Sequence, residues 1–382
     1  MSVSFDLKGS AWAAQMQQDC PNEAAEYWSK LELYSKKKLW HQMSQTILEF
    51  MEKPFFTCSA LNFYEQFVSE YESKMKKLSL VEVIQRAVAN ISELEDAEKF
   101  LEKAGSKVSA CQMSTILIKV ILGATILRIN DDRKKVKEII EEVEKEIDGL
   151  GIVPQVHSRF YELASKLYQI EANHGLYYKN SLKYLGVADV KSLSAEEKQE
   201  KAFSIGISAL LASDVYNTGE LLQHDILASL QNTPNSWLVD LLQAFNSGDI
   251  NLFQSTASQW QTQADLKAAS QKLYEKMCLM CLMEMTFVRP ANDRALSFAE
   301  IAEKTNLAKS DVESLIIRAL SLNLVKGTID EVDEKVHMTW VQPRVLSVDQ
   351  IDRMRHRISD WVKEVAETEK MMEEKARPIL SH

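Results

Sequence analysis

The sequence predicts a mainly α-helical chain: a solenoid of helical hairpins of the tetratricopeptide type, then a winged helix with a small β-hairpin sheet, and then a long C-terminal helix. Glycine and proline are scarce, at 11 and 7 of 382 residues, so the chain has few of the turns that strands require. Apolar residues make up 46% of the chain, which is enough to bury a sizeable core.

One-sided apolar stripes predict the helices of the solenoid. Two segments each place four apolar residues on one helical face, namely Val81, Ile84, Val88 and Ile91, and Val136, Ile140, Val143 and Ile147. The second segment is otherwise rich in Lys and Glu. We therefore expect that helix to lie on the surface and to pack on one side.

Short polar joints and helix-capping serines separate the predicted helices. Ser79, Ser92 and Ser194 each precede a Glu by three residues, a spacing that predicts a capping box at a helix start. Helix breaks are predicted at Pro54, 149–154, around Gly186, 232–234 and 248–249. Helices of about a dozen residues with short joints are typical of stacked helical hairpins.

The C-terminal third has the element order of a winged helix. A helix is predicted over about 268–287, and it is followed by two shorter helices that Ser297 and Ser310 would cap, each with a Glu three residues later. Two segments of period-two alternation then predict a hairpin of strands at 325–330 and 335–340.

The predicted hairpin has an apolar face and a polar face. On its second strand, Val336, Met338 and Trp340 alternate with polar residues and are predicted to point inward. The polar positions of both strands are predicted to form a protein interface: Lys326, Thr328, Asp330, Lys335, His337 and Thr339. A short sheet also has an open edge that can accept a partner strand.

A final helix is predicted from Ser347, which precedes Gln350 by three residues. Its apolar residues alternate spacings of three and four, which is an a/d seam of about three heptads. The members predicted to contact a partner are Ile351, Met354, Ile358, Trp361, Val365 and Met372. Parallel neighbouring helices would cover this seam in a bundle shared between subunits; the alternative is that the helix folds back on its own solenoid.

The sequence has no recognisable catalytic or cofactor motif. It has no GxxxxGK-S/T loop, no GxGxxG after a strand, no HExxH and no GxSxG. Cys278 and Cys281 have zinc-like spacing, but a structural zinc site needs four ligands and no second pair occurs. Both lie in a predicted apolar helix, where cysteine packs as a small buried side chain. We therefore predict no enzyme activity, no cofactor and no metal.

The predicted winged helix is acidic. Residues 291–346 contain seven Lys and Arg against nine Asp and Glu. The recognition helix, 310–323, has Arg318 as its one basic residue, and the wing loop 331–334 has three acidic residues where a DNA-binding wing would have Lys or Arg. Because phosphate binding needs clustered cations, we predict no nucleic-acid partner.

Composition also limits the cellular compartments in which the chain is expected. The formal net charge is −10, and the five cysteines are scattered too widely for a disulfide framework, which predicts a reducing compartment, cytosol or nucleus. No stretch approaches the ~20 apolar residues of a membrane span, and the first 19 residues lack the apolar core of a signal peptide. We therefore predict no membrane partner.

A helical-hairpin array, an acidic winged helix and a terminal seam together resemble the PCI-domain subunits of the proteasome lid, the signalosome and a translation-initiation factor. The resemblance to lid subunits is closest, and it spans most of the chain. It is carried by YSKKKLWHQ (34–42), VHSRFYELASKLYQ (156–169), LVDLLQAFNSGD (238–249), CLMEMTFVRPAN (281–292) and LVKGTIDEVDEKVHMTWVQPRVL (324–346).

The resemblance implies a structural role. Lid subunits of this family join in a horseshoe through their winged helices and gather their C-terminal helices into a common bundle. The implied partners are therefore other proteasome lid subunits: PCI-domain neighbours through the winged helix and the lid helical bundle through the C-terminal helix, without homo-oligomerisation. The assembly degrades ubiquitinated proteins, cleavage belongs to other subunits, and the implied localisation is the cytoplasm and nucleus.

The resemblance also implies domain boundaries. The helical-repeat array would be 1–170, the PCI domain 171–346 (helical part 171–267, winged helix 268–346), and the bundle helix 347–382. The alternative functions are a winged-helix nucleic-acid-binding adaptor, a PCI scaffold of another, signalosome-like complex and, least favoured, a helical enzyme.

We predict that the winged helix does not bind duplex DNA or RNA at ~150 mM salt, because its net negative charge releases no counterions from a phosphate backbone. A salt titration of the purified chain with both duplexes checks this. Micromolar or tighter affinity that falls steeply as salt rises would contradict it, since the slope counts neutralised phosphates.

Overall fold

The computed structural model describes residues 22–53, 56, 60–149, 151–189, 193–290, 293–346 and 348–380. Contacts divide the chain into two units, 1–189 and 190–382. Helices dominate both units, and a small antiparallel sheet and a long last helix lie in the second. The predicted fold class is confirmed. The predicted breaks at 232–234 and 248–249 lie between helices, and the break predicted at 149–154 ends at Pro154, where a helix begins; Pro54 and Ser347 lie outside the described residues.

The described residues of the first unit form a series of nine α-helices with one short 3₁₀ turn, Val68–Glu70. The helices are α1 (Asn22–Lys37), α2 (Trp40–Met51), α3 (Ala60–Gln66), α4 (Lys77–Val88), α5 (Leu94–Val108), α6 (Gln112–Ile129), α7 (Arg133–Ile147), α8 (Pro154–Ile170) and α9 (His174–Val187). Consecutive helices pack as hairpins: α1 with α2, α6 with α7, and α8 with α9. Helices α2, α4, α6 and α8 also contact one another in turn and form a row along the array.

Both predicted apolar stripes are buried. The four stripe residues of α7 are all in the core, as expected for a surface helix packed on one side. Helix α4 buries Val81, Ile84 and Val88 but ends there, so Ile91 packs against the same core from the following joint.

Helix α6 is more apolar than the sequence analysis allowed. By length and composition alone it could cross a membrane. Half of it is buried inside the first unit, where it contacts α4, α5, α7 and α8, and Lys119 on its surface binds Glu142 and Glu146 at 2.7 Å. These contacts are those of a central core helix.

Three predicted capping serines are wrong. Helix α4 begins at Lys77, so Ser79 lies inside its first turn, and α5 begins at Leu94 after Glu93 rather than after Ser92. The other error is Ser310, because its helix begins at Lys309. A cap contributes only about 1 kcal/mol, less than burying Leu80 or Val312 near these helix starts, so packing sets the boundary. The capping boxes at Ser194 and Ser297 are confirmed.

The second unit begins with a helical part and continues into the winged helix. The helical part has α10 (Ala195–Leu211), α11 (Gly219–Gln223), a 3₁₀ turn (Asp225–Leu230), α12 (Trp237–Ser247), α13 (Ile250–Ser255), α14 (Ala257–Trp260) and α15 (Ala264–Ala268). The rest comprises α16 (Ser270–Val288), β1 (Ala295–Ser297), α17 (Phe298–Thr305), α18 (Lys309–Ser321), β2 (Val325–Asp330), β3 (Lys335–Val341) and α19 (Val348–Leu380).

The sheet has a third strand that the sequence analysis missed. Strand β1 pairs antiparallel with β3, so the order is β1-β3-β2 and β3 lies in the centre. Three residues are too few to show a period-two pattern, and only the pairing of Leu296 with Val336 identifies this strand.

The prediction that Trp340 points inward is wrong. Strand β3 has one extra residue between the pairs Gly327–Met338 and Lys326–Trp340, which is a β-bulge. The bulge shifts the alternation by one residue, so Trp340 is exposed while Val336 and Met338 are buried. Gly327 is required at the bulge, because an added Cβ would collide with the carbonyl oxygen of His337.

Helix α16 connects the two halves of the second unit. It contacts α12 and α13 on one side and α17, α18 and β3 on the other. Its Lys276 is 7% exposed, and Nζ donates to the carbonyl oxygens of Ala209, Leu210 and Ala212 at 2.8, 3.2 and 2.8 Å. These carbonyls are at the C-terminal end of α10, where helical carbonyls lack intrahelical partners. Burial lowers the pKa of Lys276 to about 7.

We predict that Lys276→Met lowers the free energy of unfolding by about 1–3 kcal/mol, because buried carbonyl oxygens lose their donor while the side-chain volume is kept. Lys272→Met is the matched control, since Lys272 is exposed on the same helix and should change stability by less than ~0.5 kcal/mol. Chemical denaturation measures both. Equal stabilities of the two variants would show that the cap does not hold α16 against α10.

Candidate protein-interaction surfaces

The recognition helix and the wing of the winged helix present few free cations. Arg318 on α18 forms an ion pair with Glu275, and Lys309 forms one with Glu334 of the wing. The exposed side of α18 is otherwise mostly polar, and Ile317 is its one exposed large apolar side chain. An acidic surface with paired cations repels phosphates, in agreement with the charge count of the sequence.

The wing loop between β2 and β3 is held in one conformation. The Asp330 Oδ1 accepts hydrogen bonds from the backbone N–H groups of Val332 and Asp333, both at 3.1 Å. This arrangement is an Asx turn, and it leaves the Val332 side chain 94% exposed at the tip. The wing therefore presents an apolar residue flanked by acidic ones.

The six polar interface residues predicted on the hairpin lie together on the solvent-facing side of the sheet. Asp330 is opposite Lys335 and Thr328 is opposite His337, while Val336 and Met338 point to the core. The Lys326 ammonium lies over the Trp340 ring, 5.0 Å from its centroid. The Thr339 hydroxyl donates a hydrogen bond to the Lys326 carbonyl. Trp340 is the member of this face that the sequence analysis assigned to the core.

The edges available for a partner strand are those of β1 and β2. The Met338 N–H donates to the Arg294 carbonyl on the β1 side, so the odd-numbered backbone groups of β3 face β2. The backbone groups of Thr328, opposite His337, therefore bond to β3. The backbone groups of Ile329 point away from the sheet. The unpaired backbone groups of β2 therefore form one open edge, whereas Lys335, His337 and Thr339 could contact a partner through their side chains.

The segment between β3 and the last helix, 342–346, is anchored to the helical part of the unit. Arg344 is 5% exposed and binds the Glu284 carboxylate of α16 at 2.6 Å and the Asn246 carbonyl at the end of α12. The Gln223 amide donates to the Leu346 carbonyl at 2.8 Å. These contacts fix the point from which α19 leaves the domain. The sequence analysis missed them because no local pattern marks the partners of Arg344.

The seam of α19 is uncovered. All six predicted members are exposed, and the exposed fractions of Ile358 and Trp361 are 58% and 65%. Every described side chain from 351 to 375 is exposed, so α19 does not pack its seam against the described part of the second unit. An apolar stripe of this length in water is typical of an interface. The interface role of the individual residues stays a prediction.

The remaining candidates for chemistry are packed into the fold. The Cys278 and Cys281 thiols are buried, burial raises the pKa of both to about 11, and their Sγ atoms lie 3.9 and 3.8 Å from the carbonyls of Thr305 and Lys304. Thiols with raised pKa values are poor nucleophiles. Among the described residues, no three His, Cys, Asp or Glu are grouped for a metal.

A groove of about 530 Å³ lies between α4, α6 and α8 in the first unit. Its floor is apolar. Its rim carries the cations Arg159 and Lys166, which share Glu162 at 3.4 and 2.8 Å. Arg128 caps carbonyls at the end of α4. The charged side chains of the rim are therefore already engaged in contacts within the first unit.

Comparison with known proteins finds two family models that match successive segments of the chain. Residues 27–242 match the family model of the PSD13 N-terminal repeats, and residues 249–340 match that of the PCI domain. The first model covers more than half of the chain. The second covers most of the predicted winged helix, 268–346, and ends at residue 340, within β3.

Relatives match over nearly the full length. The 26S proteasome non-ATPase regulatory subunit 13 of Dictyostelium discoideum is 33% identical, over 89% of this chain and 90% of its own. Homolog A from Arabidopsis thaliana is 34% identical over 91% and 92%, and the 26S proteasome regulatory subunit RPN9 of Saccharomyces cerevisiae is 32% identical over 92% and 93%. The chain belongs to the family of 26S proteasome non-ATPase regulatory subunit 13.

Proposed function

We propose that the chain is a non-catalytic structural subunit of the lid of the 26S proteasome regulatory particle, where it supports degradation of ubiquitinated proteins by holding other lid subunits together. The observation that carries the proposal is α19, a long helix with an uncovered seam that starts from an anchored point. The names of the relatives, which are regulatory and non-ATPase subunits, support the same role.

The seam of α19 needs a partner on energetic grounds. Most helical stability in proteins comes from packing an apolar stripe, and α19 packs its stripe against nothing in the described chain. Fully burying Ile358 or Trp361 would contribute on the order of 1.5–3 kcal/mol each. The alternating spacing of three and four favours neighbouring helices that lie nearly parallel, as in a bundle to which several subunits contribute.

The winged helix supplies the second contact of the proposal. The polar sheet face, the β2 edge and the apolar tip at Val332 give a neighbouring PCI domain side-chain and backbone groups to bind. These contacts are also why we favour a protein partner over the nucleic-acid adaptor, since the cations Arg318 and Lys309 are already paired. We place this role in the cytoplasm and nucleus, with one copy of the chain in each lid.

We predict that replacing Ile358 and Trp361 together with Asp leaves a folded monomer that no longer joins the proteasome. The seam side chains make no core contacts in the chain itself, so thermal unfolding should be unchanged, whereas a buried interhelical seam cannot accept two unpaired carboxylates. Deletion of 347–382 should have the same effect. Co-purification with tagged proteasome and a thermal melt of the free chain measure the two properties.

The matched control is His356→Asp with Ser359→Asp, which adds the same charge to the opposite side of α19 and should leave co-purification intact. Normal co-purification of the seam variant would rule out the bundle contact. A large loss of monomer stability would instead show that α19 packs on its own chain.

A further inference from the structure

Two turns of the first unit place six lysines on one small surface. Lys36, Lys37 and Lys38 end α1, and Lys74, Lys76 and Lys77 lead into α4. We call these six residues the lysine cluster. In a chain of net charge −10 such a concentration of positive charge stands out, and neither the seam of α19 nor the winged helix uses it.

Specific contacts hold the two turns together. The Ser35 and Tyr71 hydroxyls are hydrogen-bonded at 2.8 Å across the turns, and both residues are buried. The Trp40 ring packs on the Tyr71 ring with centroids 5.7 Å apart, and the Lys74 ammonium lies over Trp40 at 4.6 Å. The lysines therefore converge because the fold positions their backbones, although they are 33 or more positions apart in the chain.

Most of the cluster has no ion-pair partner. Lys36 binds Glu32 at 2.5 Å, and the nearby Glu72 is occupied by the Tyr64 hydroxyl and by Lys107. No ion pair within the described residues involves the other cluster lysines that face solvent, which are Lys37, Lys38, Lys76 and Lys77.

The positions of three of these lysines, Lys38, Lys76 and Lys77, are unfavourable for folding. Lys76 is the N-cap of α4 and Lys77 its first residue, where the helix dipole favours negative charge and no acidic residue is present in the first turn. Lys38 has a φ of +56°, a conformation that favours glycine or asparagine. Three lysines that reduce local stability at one surface indicate that their positive charge has a function.

We propose that the lysine cluster is a docking site for an acidic segment of another protein, a stretch rich in Asp and Glu. Clustered, unpaired ammonium groups beside a helix N-terminus complement carboxylates both by charge and by the free N–H groups of the first turn. A protein segment fits better than single-stranded nucleic acid because the faces of Trp40 contact Lys74 and Tyr71. The ring is thus already engaged within the unit, whereas a binding site for single strands presents aromatic rings on which bases stack.

The test uses the full-length chain and a fluorescent peptide of about twelve residues that alternates Glu with Ser, which is long enough to span both turns. Fluorescence anisotropy should show binding that weakens as salt rises from ~50 to ~300 mM. An otherwise identical peptide with Gln in place of Glu should not bind. Lys37→Glu with Lys76→Glu should weaken binding at least about tenfold, because two attractive contacts become repulsive.

The matched control is Lys134→Glu with Lys137→Glu, two exposed lysines on α7 that add the same charge to another face of the unit and should change affinity by less than about twofold. The milder pair Lys37→Gln with Lys76→Gln, checked by circular dichroism, should weaken binding in a folded protein. Equal losses for the cluster and α7 variants, or no binding of the acidic peptide, would overturn the proposal. Duplex DNA that binds as tightly as the peptide and depends on the same lysines would overturn it in favour of a nucleic-acid surface.

Discussion

The geometry of the C-terminal half depends on a buried ion pair between Arg344 and Glu284. Burial disfavours the charged form of each group, raising the pKa of Glu284 and lowering that of Arg344, and the pair offsets this cost by direct contact. Removing one member of a buried pair costs about 3–5 kcal/mol, because the other charge is left without a partner. Arg344 also binds the Asn246 carbonyl, so a single side chain joins β3, α16 and the end of α12.

This constraint explains how an exposed helix can serve as an interface. Helix α19 begins four residues after Arg344, and Gly219 lies so close to Val345 that an added Cβ would be 2.9 Å from it. The start of the helix is therefore set by packing, while its seam meets solvent. Anchoring an interface element before association reduces the conformational freedom that binding must remove. Lys276 anchors another element of the same unit, because it holds α16 against the end of α10.

Residue spacing in the sequence predicted the elements that depend on residues close together in the chain. The α7 stripe, the capping boxes at Ser194 and Ser297, the β2–β3 hairpin and the α19 seam all arise from residues within a few positions of one another. The contacts of Arg344 with Glu284 and of Lys276 with Ala209 span some 60 positions and carry no periodic signal, so the sequence could not reveal them. The bulge that exposes Trp340 and the three-residue β1 depend on pairing partners for the same reason. Ser79 and Ser310 show the opposite error, where a local motif was outweighed by packing.

The central claim is that this chain works as an integral part of the proteasome and not as a free protein. The most direct measurement is native size fractionation of a cell lysate, with detection of the chain and of proteasomal peptidase activity in every fraction. The account predicts that the chain elutes in megadalton fractions together with that activity. A predominant pool of free monomer, or a large particle without peptidase activity, would contradict it.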